Sequence, residues 1–289
     1  FPVGATMRAV GLQGYFTQVS PASARHTISV VKAVTGDTVR RTIVDSAKCS
    51  NCHEWFEGHG GNRVYEAQVC VTCHVPSIVT SGRGIPDATL QSYAFTKSEE
   101  KILADWAFDR TLPNAALNFP VVSNNFKDMI HGIHAGKQRV TPFAEVRDRG
   151  TVLVPLDFRR MGFPGILNNC ETCHVSANSA TTTYNTVPMN ALPSRQEAIN
   201  ADYAAGIAGG TATTVQARAS LATFNATDAV TTPFTAACIS CHDSAITKAH
   251  VSLNGGLVNV ARSAAVGNVE ACATCHAPGD VVDPVAVHK

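Results

Sequence analysis

Near the N-terminus the chain alternates apolar and polar positions. Thr27-Ile28-Ser29-Val30-Val31 and Val39-Arg40-Arg41-Thr42-Ile43-Val44 are β-rich runs, and Thr35-Gly36-Asp37 between them predicts a hairpin. Further on the period becomes helical. Thr96-Lys97-Ser98-Glu99 reads as a capping box leading into Lys101–Phe108. Phe126, Ile130, Ile133 and His134 recur at i, i+4, i+7 and i+8, with Gly136 as the stop. Thr151–Leu156 predicts a short strand. Ser194-Arg195-Gln196-Glu197 is a second capping box, for a helix ending near Gly206, and the rest of 177–232 reads as loop. Thr232-Pro233 supplies an N-cap and a first helical residue. The next cysteine motif is therefore expected early on a helix, in a segment that runs through His242 to His250 before Asn254-Gly255-Gly256 breaks it.

The cysteines organise everything else. Cys49-Ser50-Asn51-Cys52-His53 is followed by Cys70–His74, Cys170–His174, Cys238–His242 and Cys272–His276, all of the form Cys-x-x-Cys-His. The five motifs use all ten cysteines: Cys49, Cys52, Cys70, Cys73, Cys170, Cys173, Cys238, Cys241, Cys272 and Cys275. This is the attachment pattern of c-type haem, two thiols adding to the porphyrin vinyls and the adjacent His ligating iron. Zinc ribbons also use Cys-x-x-Cys, but they do not require His next to the second Cys. His is 11 of 289 residues, so five chance occurrences have a probability on the order of one in ten million. A disulfide framework fails on the spacing and its strict repetition.

The expected fold class is thus a multihaem cytochrome c. Short α-helices and loops pack around five covalently bound haem c groups, with a minor N-terminal β-hairpin. The expected division is a β-rich segment at 1–48 and a pentahaem domain at 49–289. One cofactor for every 58 residues or so leaves little apolar side chain to form a conventional core, and covalent staples compensate.

Charge and hydropathy narrow the setting. A formal charge of +1 indicates no polybasic surface for nucleic acid or anionic membrane. Haem propionates would make the holoprotein modestly acidic. No apolar run reaches the length of a membrane span. No signal peptide is legible, although haem attachment at these motifs requires export; the expectation is a processed chain or a piece of a longer one, without an N-terminal lipid anchor, in the periplasm or outside the cell.

Ligand arithmetic separates the function classes. His53, His74, His174, His242 and His276 are proximal by position, which leaves His26, His59, His131, His134, His250 and His288 for five sixth positions. His59 follows the first motif among glycines. His131 and His134 leave one side of one helix and could clamp two different haems. His250 lies eight residues beyond His242, His288 is either frayed or fastened to iron, and His26 reads as a surface residue. A reductase of the nitrite or hydroxylamine type needs an open iron, and no Cys-x-x-Cys-Lys signals one. Saturated irons suit electron transfer. The alternative is a multihaem reductase with one open haem.

Lys127-Asp128-Met129-Ile130-His131-Gly132-Ile133-His134-Ala135-Gly136 resembles the Lys-x-Met-Ile-His-x-Ile-His segment of the outer-membrane decahaem cytochromes of the OmcA/MtrC family. His59-Gly60-Gly61-Asn62-Arg63, Phe163-Pro164-Gly165, His250 with Asn254-Gly255-Gly256, and Val287-His288 extend the likeness to one pentahaem domain from about residue 40 onward. The resemblance implies bis-His haems serving extracellular electron transfer to minerals, electrodes, flavins or partner cytochromes. It implies His59, His131, His134, His250 and His288 as the distal set, leaving His26 spare. The family carries ten or more haems and β-barrel domains, for which this chain has no room. A short five-haem wire could be lengthened by head-to-tail association into a filament, with His288 or His26 ligating a haem of the neighbouring copy.

Overall fold

The computed structural model describes residues 8–17, 24–35, 42–59, 63–75, 87–113, 122–141, 143–148, 153–175, 229–277 and 279–288, together with Val19, Ala115 and Phe119. The second capping box and the helix expected to end near Gly206 lie outside these residues. Two compact units divide the chain: 1–74 with 164–187 and 273–289, and 75–163 with 188–272.

In the first unit β1 (Arg8–Thr17) and β2 (Ala24–Thr35) form an antiparallel hairpin. The register shifts between Leu12 and Gly14, as one extra residue on β2 requires. Two two-residue strands, β3 (Glu57–Gly58) and β4 (Arg63–Val64), complete a sheet of order β1-β2-β4-β3, with β4 parallel to β2 at Ile28↔Val64. The inward face is pinned where the Val64 N–H donates to the buried Ser29 hydroxyl at 3.1 Å.

The expected hairpin joined 27–31 to 39–44, and the structure corrects its partner. β2 pairs upstream with the ten-residue β1, and Val44 instead bridges His174. A long ladder outweighs a local turn signal, and the 42–44 run is taken up by the third cysteine motif.

Short helices of this unit start at capped positions. Asp45 accepts from Ala47 N–H to open α1 (Ser46–Cys49), and Glu66 accepts from Gln68 N–H to open α2 (Ala67–Cys70). A 3-10 turn, Cys170–Thr172, is capped by Asn169.

In the second unit α3 (Asp87–Ser92) and α4 (Lys97–Asp105) enclose an apolar cluster of Leu90, Leu103, Ala115 and Phe119, bordered by Tyr93, Phe95, Trp106 and Phe108. The Thr96/Glu99 capping box forms as expected. The helix stops at Asp105 and not in the 106–108 run, because Ala107 takes a left-handed φ of 51°.

Helix α5 (Phe126–His134) follows, capped by Asn125. A ribbon of β5 (Ala144–Asp148) and β6 (Leu153–Asp157) docks beside it. The Phe143 ring lies where a Cβ on Gly132 would stand, at 2.5 Å, and the Phe158 carbonyl oxygen would be 2.0 Å from a Cβ on Gly136. Both glycines are therefore required by close approach to the double-histidine helix.

A second ribbon, β7 (Ala229–Val230) with β8 (Val260–Ala261), brackets α6 (Pro233–Ile239) and α7 (Ala245–Leu253). The fourth motif is at the C-terminal end of α6, not early on a helix. The expected run from Cys238 to His250 is broken, since Ser244 caps α7 anew by accepting from Thr247 N–H. Three short helices end the chain: α8 (Arg262–Ala265), then α9 (Ala273–His276) and α10 (Pro284–Val287). The chain passes from the second unit to the first inside the fifth motif, after Cys272.

Candidate haem-attachment and iron-ligand sites

Four motifs share one backbone turn. The N–H of His53, His74, His174 and His242 each donates to the carbonyl of its motif's first cysteine at 2.9 Å. This closes an α-type turn that brings the two thiols and the imidazole onto one side of the backbone. None of the ten cysteines is in a disulfide and none is fully buried, as addition to a porphyrin edge requires.

Several imidazoles are set by their own backbone. Nδ1 of His134 lies 2.9 Å from the Ile130 carbonyl, Nδ1 of His276 2.8 Å from that of Val282, and Nδ1 of His288 2.8 Å from that of Pro284. A carbonyl only accepts, so Nδ1 carries a proton in each, which in a neutral ring makes Nε2 the metal-binding nitrogen. That is the tautomer a metal-ligating histidine needs, with a carbonyl as its orienting partner. His288, expected to be frayed or fastened, is partly buried on a helical turn closed by its own N–H to the Pro284 carbonyl at 3.1 Å. At His174, burial and then the Lys48 charge hold the imidazole below its ordinary value, which favours the neutral ligand form.

In the first unit motif 1 is braced on two sides. Lys48 Nζ donates to the carbonyls of Glu171 and His174 at 2.8 and 2.7 Å, and Asp45 N–H donates to the Cys173 carbonyl at 3.0 Å. Ser46 accepts from Ala67 N–H at 2.9 Å and donates to Glu66 at 3.4 Å, which ties α1 to α2. The thiols lie within electrostatic reach of one another. Burial raises the Cys49 thiol, and Cys173 adds to the effect; burial and then Cys52 raise Cys173. Cys70 is pushed up to about 11 by burial, with Glu66 and Cys49 contributing. The His59 ring centroid is 5.8 Å from that of His74, with planes 36° apart, and His59 sits at a left-handed φ of 55°.

In the second unit motif 4 and the double-histidine helix form one block. Ser240, inside the motif, donates to Asp128 of α5 at 3.4 Å, and the Arg139 guanidinium donates to the Ser240 carbonyl. Asp243, directly after His242, accepts from Val140 N–H at 2.8 Å and Thr141 N–H at 2.6 Å, with Arg139 at 3.6 Å. Burial alone would raise this carboxyl; the two N–H donors and Arg139 overcome it and hold the group below the usual carboxylate range. Glu270, 3 % exposed, accepts from the N–H of Phe234 and Thr235 and the hydroxyls of Thr232 and Thr235 at 2.7–2.8 Å. It thus caps α6 from a distance, since the Thr232 side chain makes no cap bond of its own. The His134 ring meets Phe163 edge-on at 5.8 Å, which links two segments singled out in the sequence.

Of the predicted ligands, His131 and His134 share α5 and His250 is exposed on α7; His26, left spare in the sequence reading, lies on β2 opposite Tyr15. Lys48, Asp243 and Glu270 carry no sequence signal, because each acts on a partner distant in the chain. Only Asp45 and Glu66, four residues before a first cysteine, repeat in a way that sequence alone could expose.

The arrangement fits haem c: cysteine pairs on closed turns, and imidazoles oriented through Nδ1 by backbone carbonyls. Among the described residues no helix is long and apolar enough to cross a membrane. Comparison with curated proteins and with solved structures gave no match. The family model of the outer membrane cytochromes, MtrC/MtrF-like, domains II/IV, matches residues 41–289, which include all five motifs. The chain belongs to the MtrC/MtrF-like outer membrane cytochromes, a family of multihaem c-type electron-transfer proteins, and matches their domain II/IV type.

Proposed function

We propose that this chain binds five haem c groups, each with two axial histidines, and conducts electrons at or outside the cell surface. The carrying observation is the pairing of closed Cys-x-x-Cys-His turns with imidazoles whose Nδ1 is committed to a carbonyl. When bound, the haems supply one-electron redox chemistry. The cysteines anchor them: Cys49 stands near both Cys70 and Cys173 in one unit, and Cys238 near Cys272 in the other. His53, His74, His174, His242 and His276 serve as proximal ligands. His59, His131, His134, His250 and His288 serve as the distal ones. The 5.8 Å between the rings of His59 and His74 supports assigning these two to one iron, since two metal–nitrogen bonds of about 2 Å span such a gap. Partners of this reading are other multihaem cytochromes and extracellular acceptors, with metal or flavin reduction proceeding outer-sphere.

Head-to-tail association of copies extends the reading. Val10, Leu12, Tyr15, Ile28, Val30 and Val34 of the hairpin are 43–65 % exposed, apolar side chains concentrated on one element of the kind that seeks a partner. Electron micrographs of concentrated protein test this; monodisperse monomers alone would refute it.

Low-temperature EPR of the oxidised holoprotein, with near-infrared magnetic circular dichroism, tests the ligand set. Five low-spin bis-His signals are expected. A high-spin haem that takes up nitrite or cyanide would overturn the assignment and favour a reductase.

A further inference from the structure

Ligation uses the histidines of the 127–136 segment but leaves Lys127 without a role. Its Nζ donates to the Pro233 carbonyl at 3.0 Å, and thus meets a backbone oxygen and not a carboxylate. Pro233 opens α6, and Cys238 lies five residues along it, about 7.5 Å by helical rise. On the same N-terminal turn the Glu270 carboxylate takes the N–H groups of Phe234 and Thr235 at 2.8 Å, and Glu270 precedes Cys272 by two residues. An ammonium and a carboxylate therefore flank the start of the helix that delivers the fourth motif.

A neutral donor would satisfy the Pro233 carbonyl as well, without the cost of withdrawing an ammonium from water. That cost is real here: burial lowers the Lys127 pKa, with Asp128, Glu270 and Cys238 opposing it. The two charges also reach the attachment points. After burial, Glu270 raises the Cys238 thiol and Lys127 lowers it, and Glu270 is the next contributor at Cys272, which is pushed up to about 11.

We propose that Lys127 is a positioning charge that raises the reduction potential of the haem attached at Cys238 and Cys241, opposed by the Glu270 carboxylate. Ferrous haem carries one positive charge fewer than ferric haem, so a nearby cation favours the reduced state and an anion the oxidised one. Unit charges about 10 Å apart at an effective dielectric near 20 change electron affinity tenfold or more, and tenfold is 59 mV for one electron.

The inference rests on the five-haem reading, and the test separates the two. Holoproteins carrying K127M, K127R and E270Q are purified, haem per chain is counted by pyridine haemochrome and intact mass, and each is titrated spectroelectrochemically. At full loading, K127M moves one of the five reduction steps at least tenfold toward lower potential. E270Q moves the same step upward, and K127R leaves it in place. Should K127M not accumulate, K127Q keeps a donor for Pro233 without the charge and carries the same expectation; failing both, the upward shift in E270Q decides. Superimposable titrations would overturn the inference, as would shifts of one sign in K127M and E270Q, the mark of loosened structure. A parent protein short of five haems would sink the underlying reading instead.

Discussion

Motifs 1 and 4 bear the same five-residue pattern and close the same turn, yet they are held by different means. Motif 1 is braced by its neighbours in kind: Asp45 N–H and the Lys48 ammonium reach the carbonyls of motif 3, and Ser46 reaches the cap of motif 2. Its cap carboxylate is exposed where it bonds Ala47. Motif 4 is held by buried side chains: Ser240 and Asp243, in and beside it, reach Asp128 and 139–141, and Glu270 comes from a distant segment. Spacing accounts for the contrast. Only 16 residues separate His53 from Cys70, so motifs 1 and 2 come together through local chain, whereas 63 residues separate His174 from Cys238 and motif 4 depends on α5, on 139–141 and on Glu270. Motif 1 leans on motifs 2 and 3 through exposed or part-buried groups, whereas motif 4 leans on buried carboxylates outside any motif, which bring electrostatic influence with them.

Three substitutions probe that contrast, in falling order of effect. Glu270→Ala removes four charge-assisted hydrogen bonds and leaves buried donors unsatisfied, a loss of about 3 kcal/mol. Hydrogen exchange at Phe234 and Thr235 should quicken roughly 100-fold, with the amides of 46–53 unchanged. Lys48→Met takes two hydrogen bonds from the carbonyls of Glu171 and His174, for about 1.5 kcal/mol. Faster exchange at the amides of Asp45 and His174 is the readout, and amides of α6 should not respond. Asp45→Ala deletes a single N-cap bond to Ala47 at 3.0 Å, worth about 1 kcal/mol. Exchange at Ala47 should rise several-fold while motif 4 stays silent. If Lys48→Met outweighed Glu270→Ala, the contrast between part-buried bracing at motif 1 and buried bracing at motif 4 would be wrong.

Legibility followed the range of the forces involved. The capping box at Thr96 and the double-histidine helix at Phe126–His134 were readable because cap and period are local. The hairpin partner was misread because Thr35-Gly36-Asp37 is a local signal, while the ten-residue β1 competes for β2 through total ladder length. The break between α6 and α7 was missed because Ser244, a strong N-cap, interrupts what spacing alone joins. Glu270 was invisible, since a carboxylate that caps a helix 35 residues upstream leaves no pattern in either segment.

The sequence by itself determined the repeated pattern: ten cysteines and five adjacent histidines in five motifs of the form that attaches c-type haem, each legible because it spans only five residues. It also supplied six histidines outside the motifs. Tertiary structure alone decided which carbonyl fixes each tautomer, that the His59 ring stands beside that of His74, which thiols neighbour one another, and which charges flank α6. Those depend on where distant segments meet, and that is governed by long-range burial and by hydrogen bonds that have no period along the chain.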